Sequence, residues 1–314
     1  MPHTILFFLL IAFSTATCAN DTWWGENNGT IEFLQQNDIS MAKERLLISP
    51  DRINVDYLFI NHSSQDITLP MAFPMPIITK DSEIDGKSPG IGNFQLSVDG
   101  KPIATESRWI VMRTDNTGKI EEDITKQIQQ TGWTPDQLID VLQGFNIQPD
   151  MPEQWFKDKI PLFTLQQYFV WQQNFPAEKE VVIHHSYSPS LSGGLPLSTK
   201  TLPSFAPDKC LNHATLRKLQ QLEKTLTKEK KNPDNDVIGW TRLEYILTTG
   251  ANWKNGSIGD FTLRIHKPQP DDILATCFKQ PLKLIDSTTY EFRQKNFKPQ
   301  NDLFMTFYYA APGK

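Results

Sequence analysis

Ile53-Asn54-Val55-Asp56-Tyr57-Leu58-Phe59 decides the fold class. Its large apolar residues recur every second position, the pattern of a strand with one face in a core and one in water. Working outward, Asn61 to Asp66 is a polar turn, and Ile67 to Phe73 is a second extended run stopped by Pro74 and Pro76. Residues 79–93 read as a Gly/Pro/Asp loop. Phe94 to Val98 then meets Asp99-Gly100, a hairpin signal because both turn positions favour positive φ, and Pro102 to Arg113 is the return strand.

Strands are expected again at Leu165 to Phe175, Glu180 to Tyr187, Leu243 to Thr248, Phe261 to His266, Leu282 to Ile285, Tyr290 to Arg293 and Leu303 to Tyr309. Two helical passages interrupt them. Between about residues 120 and 160, Ile120, Ile124 and Ile128 recur at helical spacing, and Thr134-Pro135 opens a further helix with Thr134 as its cap. This stretch is too short for a core of its own and reads as an insert. From about residue 210 to 230, Leu211, Leu216, Leu219, Leu222 and Leu226 form an apolar stripe. The expected fold is mainly β: a β-sandwich, as one body or two packed halves, with a small helical insert and one long amphipathic helix. Residues 20–314 read as a single β-rich domain.

The N-terminus sets an expected address. Ile5 to Phe13 is unbroken apolar sequence, Ser14 to Ala19 is small-residue sequence, and Asn20-Asp21 turns polar. That order is a secretory signal over residues 1–19, and the apolar run falls well short of the roughly 20 residues of a membrane helix. The preferred cut follows Ala19, the second choice follows Ala16, and acylation of Cys18 is a further alternative. The expected location is therefore periplasmic or secreted. Cleavage after Ala19 leaves Cys210 and Cys277 as an even pair in an oxidising compartment, which favours a disulfide over two buried thiols.

Several function classes lose support. A net charge of -5 and pI near 5.7 give no basic footprint for nucleic acid, and nothing in the mature chain is long and apolar enough to span a bilayer. Zinc-protease, Cys-x-x-Cys, phosphate-loop and nucleophile-elbow patterns are missing, and no cofactor is called for. His184 and His185, adjacent in a strand, point to opposite faces. With His266 they are the weak metal candidates, the plainer reading being one His in water and one packed. Among 8 tryptophans, Trp23 and Trp24 follow the cleavage site, and Trp253 sits beside Asn252 in a Gly-flanked loop. Trp253, Asn252, Trp23 and Trp24 are the recognition candidates. For Trp253 the alternative is a loop anchor plugging one end of the sandwich.

Tyr245-Ile246-Leu247-Thr248-Thr249-Gly250-Ala251-Asn252-Trp253 followed by Ile258-Gly259-Asp260-Phe261 resembles the signature of the bacterial family catalogued as domain of unknown function 4424. Asn37 to Met41, Ile48-Ser49-Pro50, Val98 to Lys101, Trp171 to Ala177 and the two cysteines extend the resemblance. It implies an exported bacterial protein and supplies no catalytic residues. The N-terminal strands are also similar to the vault and inter-alpha-trypsin type of β-sandwich, without the metal motif of its usual neighbour domain. The resulting expectation is an exported, non-catalytic binding or assembly module of the envelope, with an envelope protein or glycan as partner. The alternative is an envelope hydrolase or carbohydrate-active enzyme whose site is assembled across strands.

Overall fold

The structure is a computed structural model, and its described residues are 22–27, 30–82, 92–145, 151–189, 191–193, 195–202, 210–230 and 237–311. The signal segment and Cys18 lie outside them. In chain order the first strands are β1 (Thr22–Asn27), β2 (Thr30–Phe33), β3 (Ile39–Ile48), β4 (Ile53–Asn61), β5 (Ile67–Pro74), β6 (Gly92–Val98), β7 (Lys101–Ile103), β8 (Glu106–Thr114) and β9 (Ile120–Asp123). Helices α1 (Thr125–Thr131) and α2 (Pro135–Leu142) follow, then β10 (Phe156–Lys157), β11 (Ile160–Pro161), β12 (Phe163–Phe175), β13 (Glu180–Ser188) and β14 (Ser192–Gly193). Helix α3 (His213–Lys230) precedes β15 (Ile238–Tyr245), β16 (Ile258–His266), β17 (Ile273–Thr276), β18 (Lys283–Leu284), β19 (Thr289–Phe297) and β20 (Leu303–Ala310).

Three large sheets form the body. An eight-stranded sheet runs β18-β19-β16-β3-β4-β13-β6-β7, a six-stranded sheet β2-β1-β5-β12-β8-β9, and a four-stranded sheet β14-β15-β20-β17. Ile53, Val55, Tyr57 and Phe59 of β4 are all buried, as their alternation requires. They share one core with Met71 and Phe73 of β5, Phe169 and Trp171 of β12, and Tyr245 and Phe307 of β15 and β20. One face of the eight-stranded sheet is thus covered by both smaller sheets, which makes a sandwich with a divided second layer. The hydroxyls of Tyr57 and Tyr245, 3.2 Å apart, link the layers across it.

The helical insert differs from expectation at its start. Ile120 belongs to strand β9, paired with Thr114, and the helix starts only at Thr125, leaving Ile124 and Ile128 as its buried anchors. The insert has no core apart from the sheet: β8 and β12 lend it Val111, Phe163 and Leu165 to pack against Leu138, Val141, Leu142 and Trp155. Helix α3 packs Leu219 on Ile238, Trp240 and Tyr308 of the four-stranded sheet, and a Cys210–Cys277 disulfide ties its approach to the end of β17. Strands β3 and β17 were not expected from the sequence. The strand foreseen at Leu243 to Thr248 runs instead from Ile238 to Tyr245, because the Asp302 carboxylate accepts the Leu247 and Thr248 N–H groups at 3.0 and 3.1 Å and turns the chain.

Gly259 explains part of the family signature. Strands β16 and β3 pair in parallel from Asp260 opposite Lys43, just beyond the β3 bulge at Ala42. A Cβ on Gly259 would lie 2.6 Å from the Ala42 carbonyl oxygen, so a side chain there must force the backbones apart. Gly259→Ala is expected to lower stability by about 1–3 kcal/mol, measured as a shifted urea midpoint. An unchanged midpoint would show that the strands separate without cost.

Candidate binding groove

The groove begins with β8. Trp109 and Val111 lie on the face of β8 that meets the insert, while Ile110 packs against Ala72, Tyr168 and Val170 on the other face. The insert is pinned to that strand at its start. Val111 N–H donates to Thr125 Oγ1 at 2.9 Å, Ile124 N–H donates to the Val111 carbonyl at 3.0 Å, and Asp123 Oδ1 accepts Thr125 N–H at 2.8 Å. Gly132, at φ 76°, ends α1 in the left-handed conformation that glycine adopts without a Cβ penalty. Thr134 and Gln137 then form a capping box with Pro135 in the first turn of α2. Trp133 is left in the short link between the helices, outside the apolar stripe of either.

Trp109 and Trp133, both half-buried, line an open cavity of about 710 Å³ between β8, α1 and α2, together with Asp123, Lys126, Ile128 and Leu138. The volume suits a small ligand or a short stretch of polymer. Asp123 Oδ2 is buried and has no hydrogen-bond donor among the described residues. A buried acceptor in that condition is costly unless something donates to it. On β12, opposite Trp109, the Gln167 side chain donates to Ser107 Oγ at 2.9 Å while its own carbonyl oxygen is also buried without a donor. The groove itself combines two aromatic surfaces with the polar side chains of Ser107, Asp123 and Gln127. At the far end of β8, hydrogen bonds to Glu122 and then Glu121 push the Arg113 guanidinium up from its ordinary value.

The residues singled out in the sequence lie elsewhere. Trp253 is only 2% exposed, its ring centroid 4.6 Å from Phe59 and 6.2 Å from Phe175. It seals the core, so an exposed recognition ring at this position is corrected to the loop anchor. The Asn252 carbonyl accepts the Gln36 N–H at 2.8 Å. Trp23 and Trp24 lie in β1, paired by backbone register with Met71 and Phe33. His184 faces outward with Nδ1 2.8 Å from Asp56 Oδ1. His185 points inward, 0% exposed, among the rings of Tyr57, Phe73, Phe94 and Trp171. His266 Nδ1 lies 3.2 Å from Thr289 Oγ1. These three histidines do not converge, and among the described residues no three His, Cys, Asp or Glu side chains are placed to hold a metal.

Three solved structures show the reach of fold comparison. A Legionella pneumophila protein provisionally described as nutrient binding is 16% identical, with 92% of this chain and 70% of that one covered and a TM-score of 0.47. Yeast LTA4 hydrolase is 10% identical, over 86% of this chain and 29% of that one, with a TM-score of 0.28. An M1 zinc metallopeptidase from Deinococcus radiodurans is 9% identical, over 87% and 43%, with a TM-score of 0.26. Likenesses this distant transfer no function. No curated protein sequence matches the chain. The sequence family is another matter: its model matches residues 19–305, nearly the whole length, and the chain belongs to the family called domain of unknown function 4424.

Proposed function

We propose that the protein is an exported, non-catalytic binding module of the bacterial envelope that holds an oligosaccharide in the groove between β8 and the helical insert. The observation that carries this reading is the pairing of Trp109 and Trp133 in one open cavity that Asp123 also lines. A sugar presents C–H faces that pack on indole and hydroxyls that donate to carboxylate and amide oxygens. The N-terminal signal pattern and the family resemblance support export, and together they make an envelope glycan the natural occupant. The groove sits where a packed sheet and a helical insert meet, so its aromatic surfaces are held in place before a ligand arrives.

The test is a screen of the mature protein on immobilised envelope-type glycans, followed by solution titration of N-acetylglucosamine oligomers read by tryptophan fluorescence. Trp133→Ala and Trp109→Ala are each expected to weaken glycan binding about tenfold or more, as loss of an aromatic anchor does. Asp123→Asn keeps the shape and removes the charge, so it separates hydrogen bonding from packing. A wild-type protein that binds no glycan, or affinity that survives both tryptophan substitutions, sinks the assignment.

A further inference from the structure

The outer face of the eight-stranded sheet carries a second cavity, far in character from the first. Backbone register aligns a row of side chains across five strands: Arg293 of β19 opposite Thr262 of β16, Thr262 opposite Arg45 of β3, Arg45 opposite Asp56 of β4, and Asp56 opposite His184 of β13. Neighbouring strands lie roughly 4.8 Å apart, so side chains in such a row are within mutual reach. Arg45, Arg264 and Arg293 line a groove of about 420 Å³ there, with Asn54 and Thr262 between them.

The charges on this face do not cancel. Arg264 Nε and Arg293 Nη2 share one carboxylate, Glu291, at 2.9 and 2.8 Å, and Lys295 holds Asp260 at 2.9 Å. Asp56 is engaged by His184 at 2.8 Å. Those contacts hold the Glu291 carboxyl below its ordinary value, through Arg293 first, and the Asp260 carboxyl below its own, through Lys295 first. Arg45, the cross-strand neighbour of Asp56, makes no hydrogen bond or ion pair with any described residue. Arg45, Arg264, Arg293 and Lys295 stand against Asp56, Asp260 and Glu291, four cations to three carboxylates, which leaves one unmatched positive charge at this concavity of a chain whose net charge is -5. A face that served only for solubility has no need to gather it in a groove.

We infer that this groove is a second ligand site, separate from the tryptophan groove, that takes a phosphate group with Arg45 as its anchoring cation. A guanidinium presents a planar fork of donors that matches phosphate oxygens two at a time. A phosphate dianion neutralises two positive charges at one point, where a carboxylate neutralises one. Asn54 and Thr262 add neutral donors to the same wall. Asp56 and Asp260 also line the groove; Lys295 pairs with Asp260, and the His184 ring lies 2.8 Å from Asp56. The phosphate can arrive as a soluble phosphate ester or as a lipid headgroup.

The experiment uses the whole mature protein. Inorganic phosphate, glycerol phosphate and acetate are titrated separately by NMR, and vesicles with and without phosphatidylglycerol are tested by co-sedimentation. Phosphate and glycerol phosphate are expected to shift resonances of residues 43–47 and 260–264, with acetate at least tenfold weaker. Arg45→Ala is expected to weaken phosphate binding about tenfold and, the side chain being exposed, to leave the melting temperature in place. Arg45→Lys keeps the charge but loses the fork and falls between, so it reads the site even if the alanine variant folds poorly. Vesicle binding that depends on both phosphatidylglycerol and Arg45 assigns the headgroup as the source, whereas binding of glycerol phosphate alone assigns a soluble ester. No saturable phosphate binding, binding unchanged in Arg45→Ala, or acetate bound as tightly as phosphate overturns the inference.

Discussion

Replacing Trp253 by alanine is expected to cost about 3–5 kcal/mol of folding stability, the range for truncating a large buried aromatic side chain. The ring fills space between Phe59 of β4 and Phe175 of β12, so its loss opens a cavity where the two layers meet. Trp253→Phe retains most of the buried surface and is expected to lose less than half as much. Urea unfolding followed by far-UV circular dichroism measures both. A near-neutral Trp253→Ala that nonetheless lost ligand affinity would return this residue to the recognition role. The signature around it then has a structural meaning. Tyr245 bonds across the sandwich to Tyr57, Asp302 closes the turn after β15, Trp253 seals the core, and Gly259 lets β16 lie against the bulge of β3.

Loss of the Cys210–Cys277 bridge is expected to have the second large effect. Its cysteines are 67 residues apart in sequence, and the chain-entropy model for a loop of that size gives about 4 kcal/mol, with about 2–4 kcal/mol typical. The bridge joins the approach to α3 to the end of β17, so without it α3 is held on the four-stranded sheet mainly by Leu219 and the residues flanking it. A Cys210→Ser and Cys277→Ser double variant is expected to melt well below the wild type, and reductant is expected to lower the wild type to the same level. Protein recovered from the envelope of its host is expected to begin at Asn20 and to take up alkylating reagent at these cysteines only after reduction. Equal melting of oxidised and reduced protein would show that the bridge is incidental to stability.

Strand β4 was legible because each side chain obeys one local rule, apolar inward and polar outward. Strand β3 was not, because its inward positions change parity: Ile39 and Met41 face the core, the bulge intervenes at Ala42, and then Glu44, Leu46 and Ile48 face it. A period-two reading fails across such a slip, and a carboxylate that is 0% exposed, as Glu44 is, argues locally against burial. Ile120 fits a helical stripe by spacing, yet pairing with β8 holds it extended. The burial of Trp253 depends on Phe59 and Phe175, distant in sequence, and no local pattern encodes it. The groove was hidden for the same reason. Trp109 sat inside a strand that read only as the return arm of a hairpin, and Trp133 gave one clue, a large aromatic between Gly132 and a helix cap, which belongs to neither helix.

The parallel pairing of residues 43–48 with residues 260–265 also sets an order of assembly. Strand β4 can fold back on β3 as soon as both exist, but the other side of β3 has no partner until more than two hundred further residues have been made. Topologies dominated by such distant contacts fold slowly, and a waiting strand edge recruits other chains. Strand β3 carries three of the devices that blunt such an edge: a bulge at Ala42, cations at Lys43 and Arg45, and an inward charge at Glu44. The features that made β3 hard to read are the gatekeepers that keep it solitary until β16 arrives.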